Sequence, residues 1–427
     1  MVKYEHTLAA IALLLCCATA LPSVRKSSFN ISVGGSLDSD TLNRGQTLNA
    51  ASCDPKTYGA STSADDNAEA IQAALDQCST GGKVTIDGGA YRTGPLKVHG
   101  HGVTLSLNAG SSIVMAYPPS KWPSSPDSGM TDVLRFQDCH GCSLTGEGLL
   151  HGGGITDKWY YLFDKGKIND RPLYLHVQDS TDFTLDGHLT LLDAPCFNVL
   201  LDNVTRGEIT GLNITSTWYK DPDSGDLKEP HNTDGIDPSA GSSDIWIHDV
   251  FIHNGDNSIA VKPSHDESRC TRNILVENAH FEKGHGCSIG SVGTGCVENV
   301  VFRHITMKDQ ENGCRAKSYS STDGAGFIRN ITWSDIQMSG TDKCITVNAN
   351  YKPPPKQHKH YVKVSDLTFS DISGSGCGTT AEFVCPESSP CEGIKLDNVQ
   401  LDGPSMDCEF AHGETAGKVK PASCLRD

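Results

Sequence analysis

Six segments in the second half of the chain share one order of polar and apolar residues. Each begins with a polar residue or glycine and continues as apolar, any, apolar, polar, an Asx-like residue and a final apolar residue. The segments are residues 244–250, 273–279, 299–305, 330–336, 366–372 and 393–399. Their starts lie 26 to 36 residues apart, and weaker copies begin at Asp182 and Glu208.

This alternation predicts short β-strands, each followed by a bend at the Asx-like position. One such strand cannot bury its apolar face alone, but stacked copies form a continuous core. A leucine-rich repeat would need more leucine at fixed offsets, and a propeller blade would need longer hairpins with two-residue turns. The pattern therefore predicts an all-β fold, a right-handed parallel β-helix.

One segment near the N-terminal end has helical periodicity. Residues 66–78 place Ala68, Ile71, Ala74 and Leu75 on one face. After Gly81-Gly82 the pattern changes to short strands at 84–86, 103–107 and 113–115. We expect the helix to cap the otherwise open N-terminal edge of the stack.

The first 20 residues have the pattern of a secretory signal peptide: Lys3, an apolar stretch at residues 8–17, and a cleavage site at Ala18-Thr19-Ala20. A membrane anchor is the alternative, but the stretch is too short to span a bilayer. Residues 21–50, rich in Ser, Asn and Thr, are predicted to form an N-terminal arm or propeptide-like segment. We expect a secreted, extracellular protein whose residues 51–427 form the β-helix domain.

The net charge of −17 and pI of about 5.4 argue against nucleic acid or an anionic membrane as a partner. An anionic substrate would need a local cationic pocket. Export also predicts N-glycosylation at four Asn-x-Ser/Thr sequons, those of Asn30, Asn203, Asn213 and Asn330.

Export makes disulfides the default for the 15 cysteines that follow the signal peptide. The odd number requires at least one free thiol or a contact outside the chain. We expect close pairs such as Cys53 with Cys78, Cys270 with Cys287, and Cys385 with Cys391. The run Cys139-His140-Gly141-Cys142 resembles half a zinc site, but no second half follows at a fitting spacing, so no metal is expected.

Four polar clusters recur at nearly even intervals. They are Asn232-Thr233-Asp234-Gly235, Gly255-Asp256-Asn257, Gly284-His285-Gly286 and Arg315-Ala316-Lys317. Each alone is typical of a turn or of solvated surface. One coil of the solenoid takes about as many residues as separate the clusters, so all four are predicted to form one surface stripe. Adjacent coils lie about 4.8 Å apart, so Asp234 and Asp256 could face the same glycosidic bond. Arg315 and Lys317 could hold a sugar carboxylate.

With these motifs the chain resembles the polygalacturonase family of pectin hydrolases, whose pattern is Asn-Thr-Asp, Gly-Asp-Asp, Gly-His-Gly and Arg-Ile-Lys. Arg171-Pro172, Asp193-Ala194-Pro195 and residues 288–291 support the likeness. The resemblance implies a right-handed parallel β-helix and hydrolysis with inversion. The resemblance implies that Asp256 is the general acid and that His285 supports it. It implies that Asp234 and Asn257 activate the water. The residues it implies for galacturonate binding are Arg315, Lys317 and Tyr351. We also assign Asn232 and Lys262 to substrate binding.

The departure that matters is Asn257, which stands where the family has a second Asp. An amide can hold a water but cannot take its proton. Either Asp234 suffices as the base, or the protein has lost hydrolysis and kept pectin binding. Asp237 is expected to face away from Asp234. Two smaller departures are Ala316, which should matter little, and Ser258, which stands where a Cys is often found.

The expected function is cleavage of α-1,4-galacturonosyl bonds of pectin or polygalacturonate by a monomer without a cofactor. The insertion at residues 218–230 mildly favours exo action. The alternatives are a catalytically impaired pectin-binding protein, a rhamnogalacturonan hydrolase, and a calcium-dependent lyase on the same fold. The cations argue for galacturonate over rhamnose at the leaving-group subsite.

Overall fold

The sequence repeats form successive coils of a parallel β-helix, as predicted. The computed structural model describes residues 51–125, 129–264, 269–321, 326–351 and 360–425. The predicted signal peptide and the arm at residues 21–50 lie outside them. Equivalent template positions pair side by side from coil to coil through Ile245, Ile274, Val300, Ile331 and Leu367. The repeat in the sequence is therefore the rung of the right-handed parallel β-helix.

The Asx-like position of the template bends the chain, also as predicted. Asp249, Asn278 and Asp335 have φ of 52°, 52° and 50°. Asn and Asp adopt this left-handed conformation more readily than other residues with a side chain, because their short polar side chains bond locally. The first template position is a second such bend, with φ of 60° at Asp244 and 55° at Asn273.

The first coils are built from short strands that pair in parallel, with one small antiparallel pair, β7 with β8. The strands are β1 (Ala51–Cys53), β2 (Gly82–Ile86), β3 (Gly89–Thr93), β4 (Leu96–His101), β5 (Thr104–Leu107), β6 (Ser111–Met115), β7 (Ser124–Ser125), β8 (Gly129–Met130), β9 (Leu134–His140), β10 (Ser143–Gly146) and β11 (Leu149–His151).

The middle coils continue the stack and carry one antiparallel hairpin, β18 with β19. Their strands are β12 (Leu175–Gln178), β13 (Thr181–Gly187), β14 (Thr190–Leu192), β15 (Val199–Asp202), β16 (Thr205–Thr210), β17 (Asn213–Thr215), β18 (Tyr219–Lys220), β19 (Leu227–Lys228), β20 (Ile236–Ser239), β21 (Ser243–His248), β22 (Phe251–Asn254) and β23 (Ile259–Val261).

In the later coils two consecutive strands merge into one long bent strand. The strands are β24 (Thr271–Lys283), β25 (Cys287–Val292), β26 (Cys296–Lys308), β27 (Asn312–Ser318), β28 (Phe327–Ser339), β29 (Lys343–Asn348), β30 (Lys363–Ser375), β31 (Thr379–Val384), β32 (Cys391–Leu401), β33 (Asp407–Glu409) and β34 (Ala411–Ala416).

The predicted N-terminal helix is present as α1 (Ala68–Gln77). Its apolar face buries Ile71, Ala74 and Leu75, and it packs against β1, β2 and β4, so it covers the first coil. A second helix, α2 (Trp159–Asp164), interrupts the coils before β12.

The core is the inside of the stack, where identical template positions from successive coils meet. Phe302, Trp333 and Phe369 are buried there, with ring centroids 5.7 Å and 4.8 Å apart. Burying each of these rings contributes about 2 kcal/mol or more to the free energy of folding. The stacked rings fix the register that places the functional side chains.

Two of the three expected disulfides, Cys53–Cys78 and Cys385–Cys391, are confirmed. The expected pair of Cys270 with Cys287 is wrong, because Cys270 bonds Cys296 on the next coil. Cys344–Cys377 and Cys408–Cys424 complete the five bonds of the described residues. The five free thiols of the described part of the chain are Cys139, Cys142, Cys196, Cys287 and Cys314.

Three of the four sequons lie on described residues. Asn213 and Asn330 are exposed and Asn203 is half-buried, while Asn30 lies outside the described part of the chain. Glycosylation at all four stays a prediction. None of the described helices is long and apolar enough to cross a membrane.

Candidate active site

Three of the predicted polar clusters lie at the start of consecutive strands of one sheet, and the fourth, Arg315-Ala316-Lys317, lies within the next strand, β27. The strands pair in register through Ile236 of β20, Ile259 of β23, Cys287 of β25 and Cys314 of β27. Two residues before these positions stand Asp234, Asn257, His285 and Asn312. Asn257 is therefore the neighbour of Asp234 in this row, and Asp256 comes one residue earlier in the chain. The predicted stripe is present.

His285 lies between two carboxylates. Its Nδ1 is 3.0 Å from Oδ1 of Asp256, and its Nε2 is 3.1 Å from Oε2 of Glu311. Gly284 and Gly286 flank it with φ of 71° and 62°, and a Cβ at either would overlap neighbouring atoms. The Gly-His-Gly motif is therefore the backbone that admits the imidazole into this gap.

The charges of this row shift one another's pKa values. Burial opposes the charge of His285, but its two carboxylate partners outweigh burial and raise its pKa to about 9. Burial would raise the pKa of Asp256, but contact with His285 and the charge of Lys317 hold that pKa well below its usual range. The ion pair with His285 lowers the pKa of Glu311 to about 2. Asp256 and His285 thus share one proton, which rests on the imidazole in the free protein.

Asn257 links the two candidate catalytic carboxylates. Its Nδ2 donates to Oδ2 of Asp234 and to Oδ1 of Asp256, each at 3.0 Å. These two oxygens therefore lie at most twice that distance apart. Oδ1 of Asn257 and Oδ1 of Asp234 are both buried, and neither has a hydrogen-bond partner among the described residues.

Lys262, which was predicted to bind substrate, forms ion pairs with two carboxylates. Its Nζ lies 3.1 Å from Oδ2 of Asp234 and 2.6 Å from Oδ2 of Asp237, and 3.8 Å from the ring centroid of Phe197. The two carboxylates outweigh burial and raise the pKa of Lys262 above its ordinary value. The ammonium is thus bound to Asp234 and Asp237, and we reassign Lys262 from substrate binding to positioning Asp234.

The expectation that Asp237 faces away from Asp234 is wrong. Asp237 is fully buried and shares Lys262 with Asp234. Burial raises its pKa well above the ordinary value, and the nearby charge of Asp234 raises it further. The chain turns at Asp234-Gly235 before β20 begins at Ile236, so the period-2 rule of a strand does not apply across this interval.

Asn232 is held by an arginine from an earlier coil. Arg171 donates to Oδ1 of Asn232 at 3.1 Å and to the carbonyl oxygens of Pro195 and His231 at 2.8 and 2.9 Å. Asn232 has φ of 55°, and its Nδ2 lies 3.5 Å from Oδ2 of Asp256. This oxygen of Asp256 is the less encumbered one, because Oδ1 accepts from Asn257 and contacts His285.

The predicted cationic clamp is assembled on the next coils. The guanidinium of Arg315 lies 5.4 Å, and Nζ of Lys317 5.3 Å, from the ring centroid of Tyr351. Both cations are mostly buried, whereas Tyr351 is 38% exposed. Burial and the charge of Arg315 lower the pKa of Lys317 to about 8. Two desolvated cations beside Asp256 form a strong site for a carboxylate.

The insertion at residues 218–230 folds as the β18–β19 hairpin at the edge of this site. Tyr219 contacts Asp164 of α2, and Lys165 lies 3.0 Å from Asp221. At its far end Glu229 approaches His285 and Glu311, and one ligand atom from each of the three lies within 4.8 Å of the others.

Among the described residues, Glu229, His285 and Glu311 form the one cluster of three side chains whose ligand atoms lie close enough together to hold a metal ion. His285 is already paired with two carboxylates there. The buried thiols of Cys139 and Cys142 do not belong to it.

Asp234, Asn257 and His285 lie in the row, and the other predicted site residues lie on or beside the same coils, but three side chains that bond them were missed. Glu311 pairs with His285, Asp237 shares Lys262, and Arg171 positions Asn232. Asp237 was dismissed on strand periodicity, and Arg171 was noted only as part of a motif. Glu311 carried a signal in the sequence, because it immediately precedes Asn312, the residue that continues the row of His285.

Two known proteins have sequences similar to that of this chain. The chain is 27% identical to "Probable rhamnogalacturonase C" of Aspergillus flavus, over 95% of this chain and 82% of that protein. It is 29% identical to the endo-polygalacturonase of Pectobacterium carotovorum, over 78% of this chain and 84% of that protein.

Solved structures show the same fold. The polygalacturonase from Erwinia carotovora aligns with a TM-score of 0.71 and 24% identity, over 86% of this chain and 97% of that one. The exopolygalacturonase from Thermotoga maritima aligns with a TM-score of 0.72 and 18% identity, over 86% and 90%. The model of glycosyl hydrolases family 28 matches residues 77–424, which is most of the chain. With its β-helix and its row of carboxylates, imidazole and cations, this chain is a glycoside hydrolase and belongs to glycosyl hydrolase family 28.

Proposed function

We propose that this protein is a secreted polygalacturonase that hydrolyses α-1,4-galacturonosyl bonds of pectin with inversion at the anomeric carbon. The observation that carries the proposal is the clamp of Arg315 and Lys317 with Tyr351, placed beside the row of Asp256 and His285. A clamp of two cations fits a sugar that bears a carboxylate. The disulfides of the described residues are compatible with an extracellular protein.

The chemistry follows from the free oxygens of the site. Oδ2 of Asp256 gives a proton to the glycosidic oxygen as the bond from that oxygen to the anomeric carbon breaks. Water beside Asp234 attacks the anomeric carbon, and Asp234 takes the proton that the water loses. Asn257 orients the water but accepts no proton, so Asp234 is the sole base.

Substrate binding would prepare Asp256 for its role as the acid. The charge of Lys317 helps to hold the pKa of Asp256 low in the free protein. A galacturonate carboxylate bound to Lys317 neutralises that charge, so the pKa of Asp256 rises and the proton shared with His285 moves toward the carboxyl group. A neutral sugar at the same position would leave Asp256 ionised.

The rhamnogalacturonase named among the relatives supports a second candidate, hydrolysis of rhamnogalacturonan. The two cations argue against it, because rhamnose carries no carboxylate to fill the clamp. A third candidate is a pectin-binding protein without hydrolysis. Against it stands the geometry of Asn257, which joins Asp234 to Asp256 by hydrogen bonds and leaves Oδ2 of Asp256 the less encumbered oxygen of the acid.

Release of reducing sugar from polygalacturonate and from rhamnogalacturonan, measured side by side, tests the proposal. We expect release from polygalacturonate, with loss of more than about 100-fold in Asp256→Asn, since general acid catalysis contributes that much or more. Greater release from rhamnogalacturonan would overturn the substrate assignment. Binding of polygalacturonate without release at any pH would overturn the enzymatic one. Proton NMR of the first product shows whether configuration is inverted.

We also propose that the enzyme acts from chain ends as a monomer. The support is the β18–β19 hairpin, which is braced on α2 and brings Glu229 to the edge of the site. A wall at one end of a cleft blocks the passage of a long polymer. Chromatography of early products tests this: monogalacturonate alone supports exo action, and a ladder of oligomers contradicts it.

A further inference from the structure

A second groove, of about 570 Å³, crosses the outer face of the later coils, away from the catalytic row. It lies over the C-terminal parts of β24, β26, β28, β30 and β32, of which β24 and β26 directly precede the active-site strands β25 and β27. Its floor includes the buried Met307 and Met338 and, at the next equivalent position, Gly374. A Cβ at Gly374 would meet Leu401 and the sulfurs of Cys344 and Cys377, so this position is filled from inside the stack.

Polar side chains line the groove in register from coil to coil. Strand pairing aligns His280, Thr306, Gln337, Ser373 and Gln400 in one column. Strand spacing gives this column a length of about 19 Å. Hydroxyl and amide groups repeated at that interval match the repeated hydroxyl groups of an extended sugar chain.

The groove is also cationic on an acidic protein. Lys308 lies in a second column, two residues beyond Thr306, while Lys418 and Lys420 come from the C-terminal segment that forms one wall. Lys420 bonds the main chain of Val399 and lies 3.1 Å from Asp402, which is the one acidic residue in the lining. Lys308 likewise lies 3.7 Å from Glu282, so three lysines stand against two carboxylates. This excess of positive charge favours a polyanion, although the chain carries a net charge of −17.

We propose that this groove is a second binding site for an extended acidic oligosaccharide, which holds the polymer while the active site cleaves it. The identity of the sugar chain as galacturonan rests on the proposed function. The hydroxyl and amide column would contact the ring hydroxyls, and the lysines would contact the carboxylates. The site would raise the local concentration of polymer and would leave the chemistry of a short substrate unchanged.

The test compares two triple variants with the same change in charge. Lys308→Gln with Lys418→Gln and Lys420→Gln removes the groove cations. Lys83→Gln with Lys97→Gln and Lys121→Gln is the matched control, because these three lysines are exposed and lie outside the groove. We expect the groove variant alone to raise KM for long polygalacturonate about three- to tenfold. Both variants should hydrolyse trigalacturonate as the wild type does.

A binding assay makes the result independent of hydrolysis. The Asp256→Asn protein is run in native gels that contain polygalacturonate, dextran or dextran sulfate. We expect retardation in polygalacturonate that weakens when the groove substitutions are added and persists with the control substitutions. Equal effects of the two triple variants, or equal retardation in dextran sulfate, would overturn the groove as a sugar site. Lysine-dependent retardation without hydrolysis by the wild type would support the groove and refute the proposed function.

Discussion

Replacement of Asn257 by Asp tests the central geometry of the site. In the wild type the amide donates to Asp234 and Asp256, each at 3.0 Å. Hydrogen bonds to charged groups contribute about 1.5–3 kcal/mol each to stability. An ionised carboxylate in place of the amide would lose both bonds and put a third negative charge within contact of the other two. At an effective dielectric constant of about 20, each repulsion costs about 5 kcal/mol.

The folded variant would therefore take up a proton. For an aspartate of ordinary pKa, protonation at pH 7 costs about 4 kcal/mol, and at pH 4 it costs almost nothing. The protonated acid donates one hydrogen bond where the amide donated two, so about 1.5–3 kcal/mol is lost at any pH. The pKa of the new carboxyl group is raised in the folded state, so its destabilisation is absent below the unfolded pKa and grows as the pH rises. Asn257→Asp should thus lose about 4 kcal/mol more at pH 7 than at pH 4.

Denaturant unfolding at pH 4 and pH 7 measures this difference, with Asn257→Ala as the control. The alanine variant loses both bonds but adds no charge, so its loss should be nearly equal at the two pH values. Because the new carboxyl group is protonated in the folded protein, it adds no base, and turnover of Asn257→Asp should not exceed that of the wild type. An aspartate variant with the same loss as the alanine variant at both pH values would refute the bridging role of the amide.

Three further changes test the charges around this bridge. Because Lys317 has a pKa of about 8, KM for trigalacturonate should rise above pH 8, and Lys317→Arg should keep KM constant to pH 9. Glu311→Gln removes one of the two carboxylates that raise the pKa of His285, so the alkaline limb of the kcat profile should shift down by about one pH unit; an unchanged limb would contradict this. Lys262→Met leaves two buried carboxylates without their cation, so the free energy of unfolding at pH 7 should fall by about 3–5 kcal/mol, and most of this should return on adding Asp237→Asn.

The fold was predictable because one local pattern repeats in every coil. The alternation sets which side chains point inward, and the Asx-like position tolerates the left-handed bend that ends a strand or, in the later coils, bends a long one. The second bend, at the first template position, was not predicted. Polar residues are common before a strand, so Asp244 and Asn273 gave no separate signal.

Disulfide pairing was predictable only in part, because it depends on the phase of each cysteine within its coil. Cys270 and Cys296 are 26 residues apart, which is about one coil, so they meet on adjacent rungs. Cys287 follows Cys270 by only part of a coil, which carries it to another face of the stack. It lies in the core beside Cys314 of the next coil.

The position of the active site could be predicted from the sequence, but its hydrogen bonds and ion pairs could not. Even spacing was enough to bring Asp234, Asn257 and His285 into one row. Hydrogen-bond partners depend on turns and side-chain lengths that spacing does not encode. For this reason the links from Asp237 to Lys262 and from Glu311 to His285 appear only in three dimensions.

The placement of the disulfides affects the order in which parts of the molecule unfold. A stack whose rungs touch only their neighbours tends to fray from its two ends. At the N-terminal end, α1 and the disulfide Cys53–Cys78 stabilise the first coil. At the C-terminal end, three disulfides stabilise the last coils: Cys344–Cys377, Cys385–Cys391 and Cys408–Cys424. Reduction of these disulfides would release both ends, and unfolding would then proceed inward from them. The catalytic rungs stand midway along the stack and would be among the last to lose their shape.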